Sequence, residues 1–243
     1  MSNVMSGPHS LDHTALNDSV IIPNRLPGIT GMNLAFSRNL GHFQLADDVE
    51  REFMLSVDAL RTAGAHVEEL SLSGLDEIIG LSHGAQEFVA HEFFQEAIDN
   101  HPDIISDYVP ELLETALSFN SSDFRKSTSL AGEIWQSHLG PLFQEYEALL
   151  CPTVSSPMVP AENWQKQKIT INGHALTDTE MTMTGLFNLY SRCPVLSLPS
   201  GMTDDALPCG LQIIGRPCDD ITVFQIGAAL EEIRPWASSS DNW

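Results

Sequence analysis

Residues 188–215, NLYSRCPVLSLPSGMTDDALPCGLQIIG, constrain the fold more than any other stretch of the chain. The apolar runs at 194–199 and 211–214 are too short for helices, and Pro and Gly punctuate both. Val195, Leu196 and Leu198 read as a buried strand closed by Pro199. Ser200, Gly201 and the polar Thr203-Asp204-Asp205 form a loop, and a second interior strand over 211–214 stops at Gly215. A helix follows from Asp219, with Val223, Ile226, Leu230 and Ile233 along one face. Two strands under a covering helix predict an α/β layer.

Upstream, residues 33–37 form a short apolar strand, and Asp47 is placed to cap a helix whose Val49, Phe53, Val57 and Leu60 share a face. The acidic Asp47, Asp48 and Glu50 at its start and Arg61 near its end suit the helix dipole. Gly64 closes this helix and residues 65–70 return as a strand, giving a βαβ unit that needs a parallel neighbour. From about 75 to 147 the pattern turns helical, with three helices, the third broken at Gly140-Pro141. This insert either packs on the sheet or forms a lid over a site. A strand at 148–151 follows, then an extended Pro-rich loop through Trp164, a small turn at Asn172-Gly173 and a short helix over 181–189. The first thirty residues read as loop around one possible helix at 11–20, and the Ser-rich tail reads as frayed.

The run PVLSLPSG, its short acidic loop, LPCGLQIIG and the acidic-capped helix ending AALEE resemble the C-terminal part of the amidase signature family. ALLCPTVSSPMVPAENW at 148–164 is similar to that family's strand-then-Pro segment, and residues 32–70 to its strand–helix–strand unit. The resemblance implies a mixed, mainly parallel sheet flanked by helices, the C-terminal half of the amidase signature fold. It implies one partial domain over 1–243, with the helical insert at about 75–147 and a C-terminal sheet core at about 148–235. It also implies hydrolysis or transfer of amide nitrogen.

Composition removes several function classes. A net charge of −22, with only Lys126, Lys166 and Lys168 and eight arginines, leaves no basic surface to follow a phosphate backbone, so no nucleic acid is expected. The same charge resists anionic membranes, and no apolar run approaches the ~20 residues of a span, so no membrane partner is expected. Cys151, Cys193, Cys209 and Cys218 make no C-x-x-C pair and have no His at ligand spacing, which reads as four reduced thiols in a cytoplasmic protein. The N-terminus lacks the basic and apolar regions of a signal peptide.

Amide cleavage needs an activated nucleophile, a proton shuttle to the departing nitrogen and donors for the oxyanion. The resembling family supplies a serine, a bridging serine and a lysine, the nucleophile lying in a Gly- and Ser-rich loop. This chain has no Gly-Gly dipeptide, and no G-x-S-x-G spacing is expected in it. Its Ser pairs at 121–122 and 155–156 and the serines at 238–240 lack flanking glycine and read as cap, loop and tail. The three lysines lie in polar surroundings, so none reads as a desolvated base. The expectation is that no catalytic residue is carried here, because the family's catalytic parts precede the position matched by Gly7.

No metal and no cofactor are expected. His9 and His13 read as a solvated turn, His83, Glu87 and His91 as a polar helix face, and no Gly-rich loop follows a strand. Arg192 and Asn188 are the candidate substrate-binding residues. A guanidinium at the threshold of a buried strand needs either a carboxylate partner or a ligand, so Arg192 either ion-pairs or faces the substrate cleft with Asn188. In the resembling family this segment runs near the acyl or leaving-group pocket, often with Gly where this chain has Arg192. Two functions are open: the C-terminal portion of an amidohydrolase, or a non-catalytic remnant serving as a binding or scaffold module. In the first, a small amide substrate binds once the other half is supplied. In either, a half sheet exposes an edge that favours self-association.

Overall fold

The computed structural model describes residues 2–160, 167–190 and 192–236. In chain order the elements are α1 (Ser2–Met5), β1 (Asn33–Phe36), α2 (Asp47–Thr62), β2 (His66–Glu69), α3 (Asp76–Asn100), α4 (Val109–Ser118) and α5 (Ser121–Ile134). A π-helical turn (Trp135–Leu139), α6 (Gly140–Glu145), β3 (Ala148–Pro152), β4 (Ile169–Ile171) and β5 (His174–Leu176) follow. The chain then forms α7 (Asp178–Met181), α8 (Gly185–Asn188), β6 (Val195–Met202), β7 (Pro208–Gly215) and α9 (Asp220–Ile233).

One five-stranded sheet, in the order β2-β1-β3-β7-β6, carries the fold. β1 pairs parallel with β2 and β3, whereas β7 pairs antiparallel with β3 and β6. Four strands therefore share one direction and β7 alone opposes them, so the sheet is mixed and mainly parallel. Both faces are covered at the centre of the sheet, where β3 is buried at every position. In β3, Ala148 and Leu150 pack on one face with Phe53, Val57 and Leu60 of α2 and Val223, Ile226 and Leu230 of α9. Leu149 and Cys151 point the other way, toward Ile78 and Ile79 of α3, Leu139, Phe143 of α6 and Leu186 of α8.

Several sequence expectations change at this level. The first strand of the 188–215 stretch is an edge strand, not an interior one, and Val195 is 42% exposed. Pro199 does not close it; β6 runs on to Met202, with a register shift between Pro199 and Gly201. Gly215 donates its N–H to Pro194, so 194, 196 and 198 carry the bonds to β7 and residue 199 faces the free edge. A proline costs nothing there because no ladder partner awaits its missing N–H. Residues 11–20 form turns rather than a helix, Asp12 accepting from the N–H and hydroxyl of Thr14. Asp47 is the first helical residue of α2; the N-cap is Ala46, without a side-chain cap. Trp164 lies outside the described residues.

The break expected at Gly140-Pro141 is a π-turn. Gly140 donates to Trp135 O, five residues back, and Pro141 then falls in the first turn of α6, where its missing N–H is not called for. Gly140 has no substitute here, since a Cβ would sit 2.8 Å from Trp135 O. The small turn at Asn172-Gly173 joins β4 to β5 with both residues at positive φ, 50° and 81°, as a two-residue hairpin requires.

Candidate functional site

The helical stretch does two jobs. Its sheet-proximal parts, Leu75, Ile78 and Ile79 at one end and Ile134, Leu139, Leu142 and Phe143 at the other, are buried against the sheet. Farther out, Val89 and Phe93 on α3 are 69% and 70% exposed. Between these regions lies a groove of about 670 Å³, walled by α3, α5 and the segment 188–190. That volume is in the range of small-molecule sites, about 300–1,000 Å³.

Three contacts set the groove's shape. Asn188, the last residue of α8, donates from Nδ2 to Gln86 Oε1 at 2.9 Å. Gln86 in turn donates from Nε2 to Ser82 O at 2.9 Å and Gly185 O at 3.3 Å, fixing its amide orientation. Tyr190 donates its hydroxyl to Ala131 O on α5 at 3.0 Å, and burial pushes that phenol up to about 12, with nearby Cys193 adding to the shift. The phenol therefore stays neutral and apolar-facing across the physiological range. The π-turn presents Trp135 to the groove, with its ring 5.7 Å from Tyr190 and 6.0 Å from Phe143. Phe124 and Val89 add further apolar wall. Such a surface suits an acyl chain or aryl ring, and the Asn188 amide offers hydrogen bonding at its margin.

The two residues singled out from sequence are not brought together. Asn188 lines this groove, whereas Arg192 lines a separate hollow with Thr14, Pro194, Cys218 and Asp220. Arg192 is exposed and makes no ion pair among the described residues. Gln86, Trp135 and Tyr190 were not identified from sequence. The one signal available was an aromatic residue shortly before Gly140-Pro141, a place where π-turns form.

One sequence expectation is wrong on the residues themselves. Gly80-Leu81-Ser82-His83-Gly84 has the G-x-S-x-G spacing. The spacing carries no nucleophile here, because it lies inside α3 and not at a strand-to-helix elbow. Ser82 is 1% exposed and donates its hydroxyl to Ile79 O at 2.8 Å, a helical back-bond. Farther along α3, burial pushes the Glu87 carboxyl up, and its Oε2 is buried without a partner among the described residues. Burial also lowers His83, against a smaller opposing pull from Asp178. No group of three or more metal-ligating side chains occurs among the described residues.

A second hollow of about 560 Å³ sits where β1 and β2 end. Its guanidinium is already engaged, since Arg38 donates to Glu69 at 2.7 and 3.1 Å and also pairs with Glu50. The apolar groove is the better candidate.

A family model described as Amidase matches residues 2–224. An acylamidase of Rhodococcus erythropolis is 24% identical over 246 residues, a match spanning 98% of this chain and 50% of that protein. A fatty acid amide hydrolase of Arabidopsis thaliana is 31% identical over 120 residues, covering 49% of this chain and 19% of the other. Among solved structures, a bacterial aryl acylamidase of the amidase signature family superposes with a TM-score of 0.81 at 21% identity, covering 98% of this chain and 51% of that one. The chain thus spans about half the length of the relatives that it matches along its whole length.

Proposed function

This chain belongs to the amidase family, and from that premise we propose that it supplies the substrate-binding portion of an amidohydrolase acting on a small carboxamide. The observation that carries the reading is the groove: apolar and aromatic along its walls, with the Asn188 amide held by Gln86 at 2.9 Å. The matched acylamidases and amide hydrolase act on amides by their names, which fits an aryl or acyl group seated beside Trp135 and Tyr190. Nucleophile, bridging serine and lysine are to come from outside residues 1–243, because no serine described here combines exposure, a base and a glycine-rich oxyanion loop. No helix among the described residues is long and apolar enough to cross a membrane.

Titrating acetanilide into the purified chain, followed by calorimetry, tests this. Saturable 1:1 binding that weakens at least fivefold in Asn188→Ala and Trp135→Ala supports the proposal. Binding that neither substitution changes, or no binding at millimolar ligand, overturns the groove as the substrate site.

A further inference from the structure

Cys218 occupies a conformation that needs explaining. It lies in the turn between β7 and α9 at φ 62°, in the left-handed region that favours glycine, and it is exposed. Backbone strain of this kind concentrates where a side chain has work to do. Its N–H donates to Arg192 O at 2.7 Å, which brings it to the residue just before Cys193. Adding the fixed bond geometry on either side of that hydrogen bond puts the Cα atoms of Cys193 and Cys218 at most about 7 Å apart. Bridged cysteines span about 4.4–6.8 Å, so the backbone spacing of the pair is compatible with a disulfide. The other two thiols are placed differently: Cys151 is fully buried within β3, and Cys209 is 3% exposed on β7.

We propose that Cys193 and Cys218 are a thiol pair that closes into a reversible intrachain disulfide on meeting a low-molecular-weight disulfide. Cys218 is the entry point, being exposed at the hollow of about 440 Å³ that Arg192 also lines. The Arg192 guanidinium offers the carboxylates of such a disulfide one cationic contact there, beside the Asp220 carboxylate that also lines the hollow. Cys193 is the resolving thiol, 8% exposed and held off solvent; burial, with a further contribution from Cys218, pushes it up to about 11. It therefore stays protonated until the second step draws on it.

The exchange balances in two displacements. The Cys218 thiolate attacks one sulfur of oxidised glutathione, forming a mixed disulfide and releasing one glutathione thiolate, which takes up a proton. Cys193 gives its proton to solvent and attacks the Cys218 sulfur, forming the Cys193–Cys218 bond and expelling the second glutathione. Two protein thiols are oxidised and one small disulfide is reduced to two thiols. The closed loop contains the whole β6–β7 hairpin, and Cys193 lies three residues beyond Tyr190. Oxidation therefore clamps the exit of the groove wall to the turn that starts α9.

Incubating the purified chain with oxidised glutathione, then counting free thiols in denaturant and mapping peptides by mass, tests the pair directly. The wild type is expected to go from four free thiols to two, retain no glutathione and yield a linked Cys193–Cys218 peptide, with Tm raised by roughly 5 °C and restored by dithiothreitol. Cys193→Ala should stop at a stable glutathione adduct on Cys218, and Cys218→Ala should react at least tenfold more slowly. A wild type that stops at the adduct, a link through Cys151 or Cys209, or no thiol loss overturns the proposal. Because the wild-type map alone is decisive, misfolding of either variant leaves the test intact. Failure of acetanilide binding would not bear on it.

Discussion

Arg234 is the most informative single side chain for stability, because one guanidinium joins three elements. It follows α9, and its Nη1 donates to Glu52 O at 3.0 Å and Ser56 Oγ at 2.8 Å, both on α2. Its Nη2 pairs with Glu52 Oε2 at 2.9 Å, and the single Ser56 hydroxyl proton is shared between Glu52 O at 3.2 Å and Ser200 O of β6 at 3.4 Å, which links on to the edge strand. The side chains are 27% and 12% exposed, between the exposed pairs that contribute under about 1 kcal/mol and the buried ones whose rupture costs about 3–5 kcal/mol. Arg51, 3.2 Å from Glu52 Oε1, remains to shield the carboxylate after Arg234→Ala. That places the loss at about 2 kcal/mol, or roughly 4–8 °C in Tm for a chain of this size. Urea unfolding followed by circular dichroism measures it. A double-mutant cycle with Glu52→Gln should return a coupling of about 1 kcal/mol. A change below about 0.5 kcal/mol for Arg234→Ala, with an unaltered m-value, would refute the claim that this network holds the edge strand to the helical layer.

Other outcomes follow from the same structure. Gly201→Ala should destabilise more than a surface change, by about 2 kcal/mol, since φ is 146° and a Cβ would collide with the Glu52 carboxylate; thermal melts read it out. Burial raises the folded-state Glu87 above its usual 4.5, so the stability it contributes is present below that pH and lost as pH rises through the folded value. Glu87→Gln should accordingly raise Tm at neutral pH, with the gain vanishing toward pH 4, as calorimetry across that range would show. His83 acts oppositely: lowered from 6.5, it supports the fold above that pH and withdraws support as pH falls through the folded value, an acid limb that His83→Phe should flatten. The outer edge of β6, uncovered among the described residues, should drive concentration-dependent association that strengthens with salt as the −22 charge is screened. Val195→Lys should abolish it in sedimentation velocity.

Much of the fold is legible in local pattern. Val49, Phe53, Val57 and Leu60 declare the buried face of α2, and β3 announces itself as a continuous apolar run because both its faces are covered. The β6 position is where pattern misleads: Pro199 reads as a terminator, but whether a proline ends a strand depends on which way its nitrogen faces, and that is decided by the register with β7. The site was half legible. Asn188 stands out beside a Pro- and Gly-punctuated strand, whereas Gln86, Trp135 and Tyr190 meet across separations of about 50 to 100 residues that no local rule connects. Arg192 precedes a strand that pattern alone reads as interior, whereas β6 lies at the edge and leaves Arg192 exposed. The glycine-spaced Ser82 shows the converse, a catalytic spacing that the surrounding helix makes inert.

Under the proposed function, labour is divided: this chain is to bind the amide, and the nucleophile is to come from elsewhere. Treating the purified 243-residue chain with a serine-directed fluorophosphonate while following acetanilide by chromatography tests that division most directly. Saturable binding with no covalent label and no aniline released is the expected result. Stoichiometric labelling of a serine in this chain, with turnover, would contradict it.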